Sequence, residues 1–177
     1  MNLRIYHPMS FQGSLNKKSY FEGWYFKHVS DDLSRVISVI PGISLSHDDP
    51  HAFIQVIDGV TGKTEYLTYP LNEFTWQNDE QSLKVGNSLF TEDHIHLDLK
   101  NDNIEIEGHL RYSNKIKYPS GFLSPGIMGW YSFVPFMECK HGVISVNHDI
   151  TGELIINKEM RSAEHTSELQ SRQSISY

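Results

Sequence analysis

The sequence holds one cysteine, Cys139, in 177 residues. No internal disulfide can form, and a zinc centre built on several thiolates is excluded. Long apolar runs are missing as well. The opening stretch "MNLRIYHPMSFQG" lacks the apolar segment of a signal peptide, and no later stretch approaches the ~20 apolar residues of a membrane span. Blocks of like charge are absent. The net charge of −7 comes from scattered carboxylates, which argues against nucleic acid or an anionic membrane surface as the main partner. A soluble cytoplasmic protein is the expectation. Also missing are a G-x-S-x-G nucleophile elbow, a phosphate-cradling glycine loop, a dinucleotide fingerprint and a basic–aromatic platform for nucleic acid. No segment carries a helical period of useful length.

What is present is a β pattern with enough apolar residues for a core: 38% of the chain is hydrophobic and 12% aromatic. Residues Trp24–Val29, Arg35–Ser46, His51–Asp58 and Thr64–Pro70 are rich in β-branched and aromatic side chains, with Asp, Gly and Pro turns between them. His94–Lys100 alternates, with Ile95, Leu97 and Leu99 on one face. Asn103–Tyr112 continues the alternation, and Gly108 permits a bend or bulge. Gly129–Asn157 reads as two or three more strands, with Pro135 at an edge or bulge and Thr151-Gly152 at a tight turn. Many short antiparallel strands define an all-β barrel or sandwich. Trp24–Val29 and Gly129–Cys139 are aromatic on both faces, which suits a lipocalin-like barrel wall around a lined cavity.

Ten histidines raise the question of metal. His94, His96 and Asp98 share a strand face, but it is the face opposite the apolar stripe, and no further ligand is identifiable. His47 and His51 flank a turn. Cys139 and His141 could form a nucleophile pair, although a free cysteine more often packs as a small hydrophobe. Two runs remain. In "SYFEGWYFK" (19–27), Glu22 lies among Tyr20, Phe21, Trp24, Tyr25 and Phe26. In "MGWYSFVPFMECKHGVISVNH" (128–148), Glu138, His141 and His148 accompany Trp130, Tyr131, Phe133 and Phe136. A buried acid among π-faces suits alkene protonation, because burial keeps a carboxyl protonated and aromatic faces attract the resulting cation. The plainer alternative is an acid that is edge-exposed or salt-bridged, with Lys27 as a partner if Gly23 bends the strand.

Those two runs, together with "IPGIS" and "HAFIQVIDG" between them, carry a resemblance. In this order, from about His7 to Asn157, they resemble the N-terminal half of the tocopherol cyclase-like family. The resemblance implies a lipocalin-like architecture of two related halves, of which this chain holds the first. It implies an isomerase that protonates a prenylated hydroquinone and closes a chromanol ring with no cofactor or metal. It casts Glu22, Glu138, His141 and His148 as catalytic candidates, and Tyr20, Trp24, Tyr25, Trp130 and Tyr131 as substrate-binding. The implied partner is an apolar, prenylquinol-like lipid, compatible with peripheral membrane contact. Alternatives of another kind are a non-catalytic isoprenoid carrier and a carotenoid-hydratase-like enzyme that adds water to the cation.

From Arg161 the text "RSAEHTSELQSRQSISY" loses its apolar alternation and resembles a translated sequencing adapter, so residues 161–177 are expected to be a non-native or disordered tail after a domain spanning 1–160. The lysine–aspartate–tryptophan–glycine stretch of the family's second half has no counterpart here. The expectation is an incomplete enzyme that is inactive or poorly folded as written.

Overall fold

The computed structural model describes residues 7–30, 32–77, 80–119, 121, 126–134, 139–157 and 159–176. Eleven strands form one antiparallel sheet: β1 Tyr20–Val29, β2 Val36–Leu45, β3 His51–Asp58, β4 Thr64–Pro70, β5 Phe74–Gln77, β6 Ser82–Val85, β7 Ser88–Thr91, β8 His94–Lys100, β9 Glu105–Ile116, β10 Cys139–Ile156 and β11 Glu159–Ser176. Their order is β4-β3-β2-β1-β11-β10-β9-β8-β7-β6-β5. The two edge strands, β4 and β5, are consecutive in the chain and joined by one 3-10 turn, Leu71–Glu73. Three residues span only about 10 Å, so the sheet must curl until its edges nearly meet. Its fold class is therefore all-β and antiparallel, a rolled lipocalin-like barrel wall.

Alternation sets the inner face. β1 turns Tyr20, Glu22, Trp24, Phe26 and His28 inward. β8 contributes Ile95, Leu97 and Leu99, while His94, His96 and Asp98 face outward and are exposed, as the sequence pattern implies. Ile106, Leu110 and Tyr112 from β9 and Ile144, Ile150, Leu154 and Ile156 from β10 complete much of the core. Glu22 and Lys27 stand on opposite faces of β1, so Gly23 does not bring them together.

The N-terminal segment closes one end of this wall. Met9 and Phe11 are each 1% exposed. The Phe11 ring meets Trp76, Phe74 and Tyr20 edge-on, with centroids 4.7, 5.5 and 6.2 Å away. The opposite end is framed by the β1–β2, β3–β4 and β8–β9 turns, and here the interior opens. Asn101 and Asn103 of the β8–β9 turn donate to the Glu65 carboxylate of β4 at 3.3 and 3.0 Å, linking the two sides of the roll at that end.

Several sequence expectations need correction. Gly126–Phe133 is 3-10 helix, so the aromatic run beginning at Gly129 does not start as a strand. Gly129 itself adopts φ 56°, ψ −140°, a conformation that breaks extension and that glycine tolerates. Cys139–Ile156 is a single 18-residue strand, and Thr151-Gly152 lies within it instead of forming a turn. Strands β5 to β7 were not visible in the sequence pattern because each has only four residues. Gly108 marks a close approach without a bulge: its register with Leu154 runs unbroken between Glu107–Ile155 and His109–Glu153. Pro135 lies outside the described residues.

The segment Glu159–Ser176 runs as a strand between β1 and β10. A ladder is made of main-chain N–H and C=O groups, which any non-proline residue supplies, so this pairing says little about the origin of the side chains. No helix among the described residues is long and apolar enough to cross a membrane.

Candidate functional site

Glu22 is fully buried. Its two carboxylate oxygens accept from the main-chain N–H of Gln12 at 3.2 and 3.1 Å, and Oε2 also accepts from the Gly13 N–H at 3.2 Å. The Tyr20 hydroxyl donates to the same oxygen at 2.6 Å. One turn of sequence earlier, the Trp24 indole N–H donates to the Pro8 carbonyl at 3.2 Å. The inward row of β1 thus clasps the segment that plugs the closed end. In the bonds from Gln12, Gly13 and Tyr20, Glu22 is the acceptor, and hydrogen bonds of this kind to a carboxylate are the stronger sort.

At the open end lies a cavity of about 920 Å³. Its depth is apolar: Val56, Leu110, Ile150, Leu154 and Ile156. Its rim is charged and polar, with Arg35, Asp58, Lys63, Glu65, Asp102 and Asn157. A space of this size, apolar below and polar above, matches the general form of small-molecule sites.

His28 lines the same cavity. Its Nε2 is 2.8 Å from the Tyr112 hydroxyl. The Tyr112 ring stacks on His28 with centroids 5.9 Å apart and meets His148 edge-on at 4.9 Å. A buried His–Tyr–His row therefore connects β1, β9 and β10. Burial holds His28 at a pKa of about 3, with the neighbouring charge of His148 acting the same way and the Ile37 main chain weakly opposing. Burial also lowers His148, to about 4, helped by Lys115 and opposed by Asp149. Both imidazoles are neutral at pH 7, and His28 keeps its hydrogen bond to Tyr112 without carrying charge.

The described sequence candidates are dispersed over the fold and do not meet in one site. Tyr20, Glu22 and Trp24 belong to the closed-end clasp. Tyr25 faces outward from β1, where its hydroxyl lies 2.8 Å from Ser38 Oγ. Trp130 and Tyr131 stack on each other at 4.1 Å in the 3-10 segment and are 59% and 51% exposed. His141 is exposed, and its main-chain N–H points at Met128 Sδ, 3.0 Å away. His148 joins the buried row beside the cavity. Glu138 lies outside the described residues, as does the Cys139 side chain. None of the described candidates lines the open cavity; His148 meets Tyr112, which in turn holds the lining residue His28. Sequence reasoning missed His28 and Tyr112, although counting by twos along β1 from Glu22 reaches His28 on the same inward face.

No family model matches the chain, and no curated protein matches it. Among solved structures, the crystal structure of CghA with Sch210972 is similar, with a TM-score of 0.53 and 12% identity, covering 89% of this chain and 46% of CghA. An AttH-type protein from Nitrosomonas europaea aligns with a TM-score of 0.48 and 10% identity, over 96% of this chain and 54% of that one. At such identities the likeness to CghA speaks for the fold. The chain spans about half the length of these structures. Fold and cavity together define the class: an antiparallel lipocalin-like wall, plugged at one end and hollow at the other.

Proposed function

We propose that this chain is the first half of a tocopherol cyclase-like protein, whose open cavity takes the apolar part of a prenylquinol-like ligand. The observation carrying this reading is the 920 Å³ hollow with an apolar floor and a polar rim. Ring closure in such a protein balances without a co-reactant. A proton adds to the alkene carbon, the hydroxyl oxygen bonds to the resulting tertiary cation, and the hydroxyl proton leaves. The protein must supply an acid, exclude water and hold oxygen near the cation. Of the two carboxyl candidates that the resemblance implies, Glu22 is engaged at the closed end and Glu138 lies outside the described residues.

A second reading, a lipid carrier without turnover, draws support from Glu22. Its oxygens hold the N-terminal segment and do not line the cavity. Product mass separates these readings. The 177-residue chain should bind a prenylated hydroquinone without converting it, whereas a protein that also carries a second lipocalin-like half should release a chromanol of unchanged mass. Conversion by the 177-residue chain would overturn the two-half requirement. No product from either protein favours the carrier, and a gain of one water favours hydration.

A further inference from the structure

We propose that the slot between β1 and β10 is a strand-accepting site, which takes an extended segment of another polypeptide, apolar at alternate positions, in exchange for residues 170–176. Neither the cavity nor its ligand is needed for this exchange. Residues 20–26 of β1 and 139–145 of β10 both pair antiparallel with 170–176, so main-chain donors and acceptors line the slot on either side. The walls define what fits. Residues opposite each other in a ladder share a face of the sheet. On β1, Trp24 and Phe26 are buried, and the β11 positions in register with them are Arg172 and Gln170. Farther along, Ile150, Leu154 and Ile156 of β10 are buried, and their register partners are His165, Arg161 and Glu159. Apolar residues fall at the alternate positions instead: Ile175 is in register with Phe21, and Met160 with the exposed Ile155. Strand β11 is thus one place out of step with the face its neighbours bury.

Register in a sheet is specified by agreement between the apolar pattern and the buried face, and a strand lacking that agreement is prone to slip or to pair otherwise. What holds 159–176 is the main-chain ladder, which any sequence without proline makes equally well. A competing strand makes the same ladder and adds burial of apolar side chains beside Trp24 and Phe26, a face on which polar groups are costly. Main-chain bonds for affinity and alternate side chains for selection are the two parts of recognition by strand addition. The partner follows from this chemistry. It is an extended chain running antiparallel to β1 and β10, with β-branched aliphatic residues at every second position. The resident strand has the advantage of its tether, so exchange needs several such residues together.

The test uses the full 177-residue chain and two fluorescein-labelled peptides aligned on 167–176. KTTVTVTVTK places valine opposite Phe26, Trp24 and Glu22, and KTTSTSTSTK places serine there. In fluorescence anisotropy the valine peptide should bind roughly tenfold or more tightly than the serine peptide, the effect of burying two apolar side chains against a tethered competitor. Gln170→Val with Arg172→Val gives the resident strand the matching pattern, so this double variant should bind the valine peptide roughly tenfold more weakly than the wild type does. Hydrogen exchange gives a second reading: the valine peptide should speed exchange at 170–176 while the β1 amides of 20–26 stay protected. Equal binding of both peptides, an unchanged affinity in the double variant, or unmoved exchange at 170–176 overturns the strand-accepting slot. Absence of binding overturns it too. If the chain alone forms a dimer that refuses the valine peptide and protects 170–176, the slot belongs to a second copy and the assigned partner is wrong. None of these outcomes bears on the ligand reading of the cavity.

Discussion

At the scale of single residues, Glu22 changes character between sequence and structure. Its aromatic setting suggests an acid. Its hydrogen bonds make it the knot that ties Gln12 and Gly13 to β1. Glu22→Gln would put an amide N–H₂ where donors already converge, leaving at least one of them without an acceptor. We expect a loss of about 2–4 kcal/mol on urea unfolding, since bonds to a charged group are worth about 1.5–3 kcal/mol each and do not add fully. Amide exchange at Gln12 and Gly13 should accelerate in the same variant. Unchanged stability and exchange would return Glu22 to a purely catalytic account. The two buried histidines predict a pH dependence. With folded pKa values of about 3 and 4 against 6.5 when unfolded, the unfolded chain binds more protons between these limits. Their contribution is complete above about pH 6.5 and is lost as pH falls toward 4 and then 3. The slope reaches up to about 1.4 kcal/mol per pH unit for each histidine. Urea midpoints that stay level from pH 7.5 to pH 5 would contradict it.

At the scale of elements, the legible parts were those with clean alternation. His51–Asp58, Thr64–Pro70 and His94–Lys100 have the same bounds in the pattern and in the structure. Short strands such as Phe74–Gln77 gave too few alternations to register, and their pairing depends on neighbours far away in sequence. Glycine was ambiguous for a physical reason. At Gly152 a turn and a close strand crossing call for the same residue, and only the ladder with β9 decides between them. Of the site, the inward row of β1 was within reach of the sequence, but the meeting of His28 with Tyr112, 84 positions later, was not. Gly108 offers a test at this scale. Its φ is +143°, and a Cβ there would lie 2.2 Å from the Glu153 carbonyl oxygen, main-chain atoms that cannot turn aside. Gly108→Ala should therefore cost about 2–4 kcal/mol, from strain added to steric overlap. A thermal midpoint within a degree or two of wild type would show that β9 and β10 separate easily.

At the scale of the whole molecule, the two ends of the rolled sheet divide the work. One end is filled by Met9 and Phe11 and locked by Glu22 and Trp24. The other is left hollow, and its lining is completed by β10, the strand that also carries His148. Neighbouring residues on β10 allow a direct test of which face takes ligand. Ile156 lines the cavity, while Ile155 points outward and is 37% exposed. Calorimetric titration of a prenylated hydroquinone under nitrogen, into wild type, Ile156→Trp and Ile155→Trp, is the decisive measurement. If the open cavity is the ligand site, filling it with Ile156→Trp weakens binding by roughly tenfold or more, and Ile155→Trp binds as the wild type does. Equal affinity in all three proteins, or a loss confined to Ile155→Trp, would contradict it.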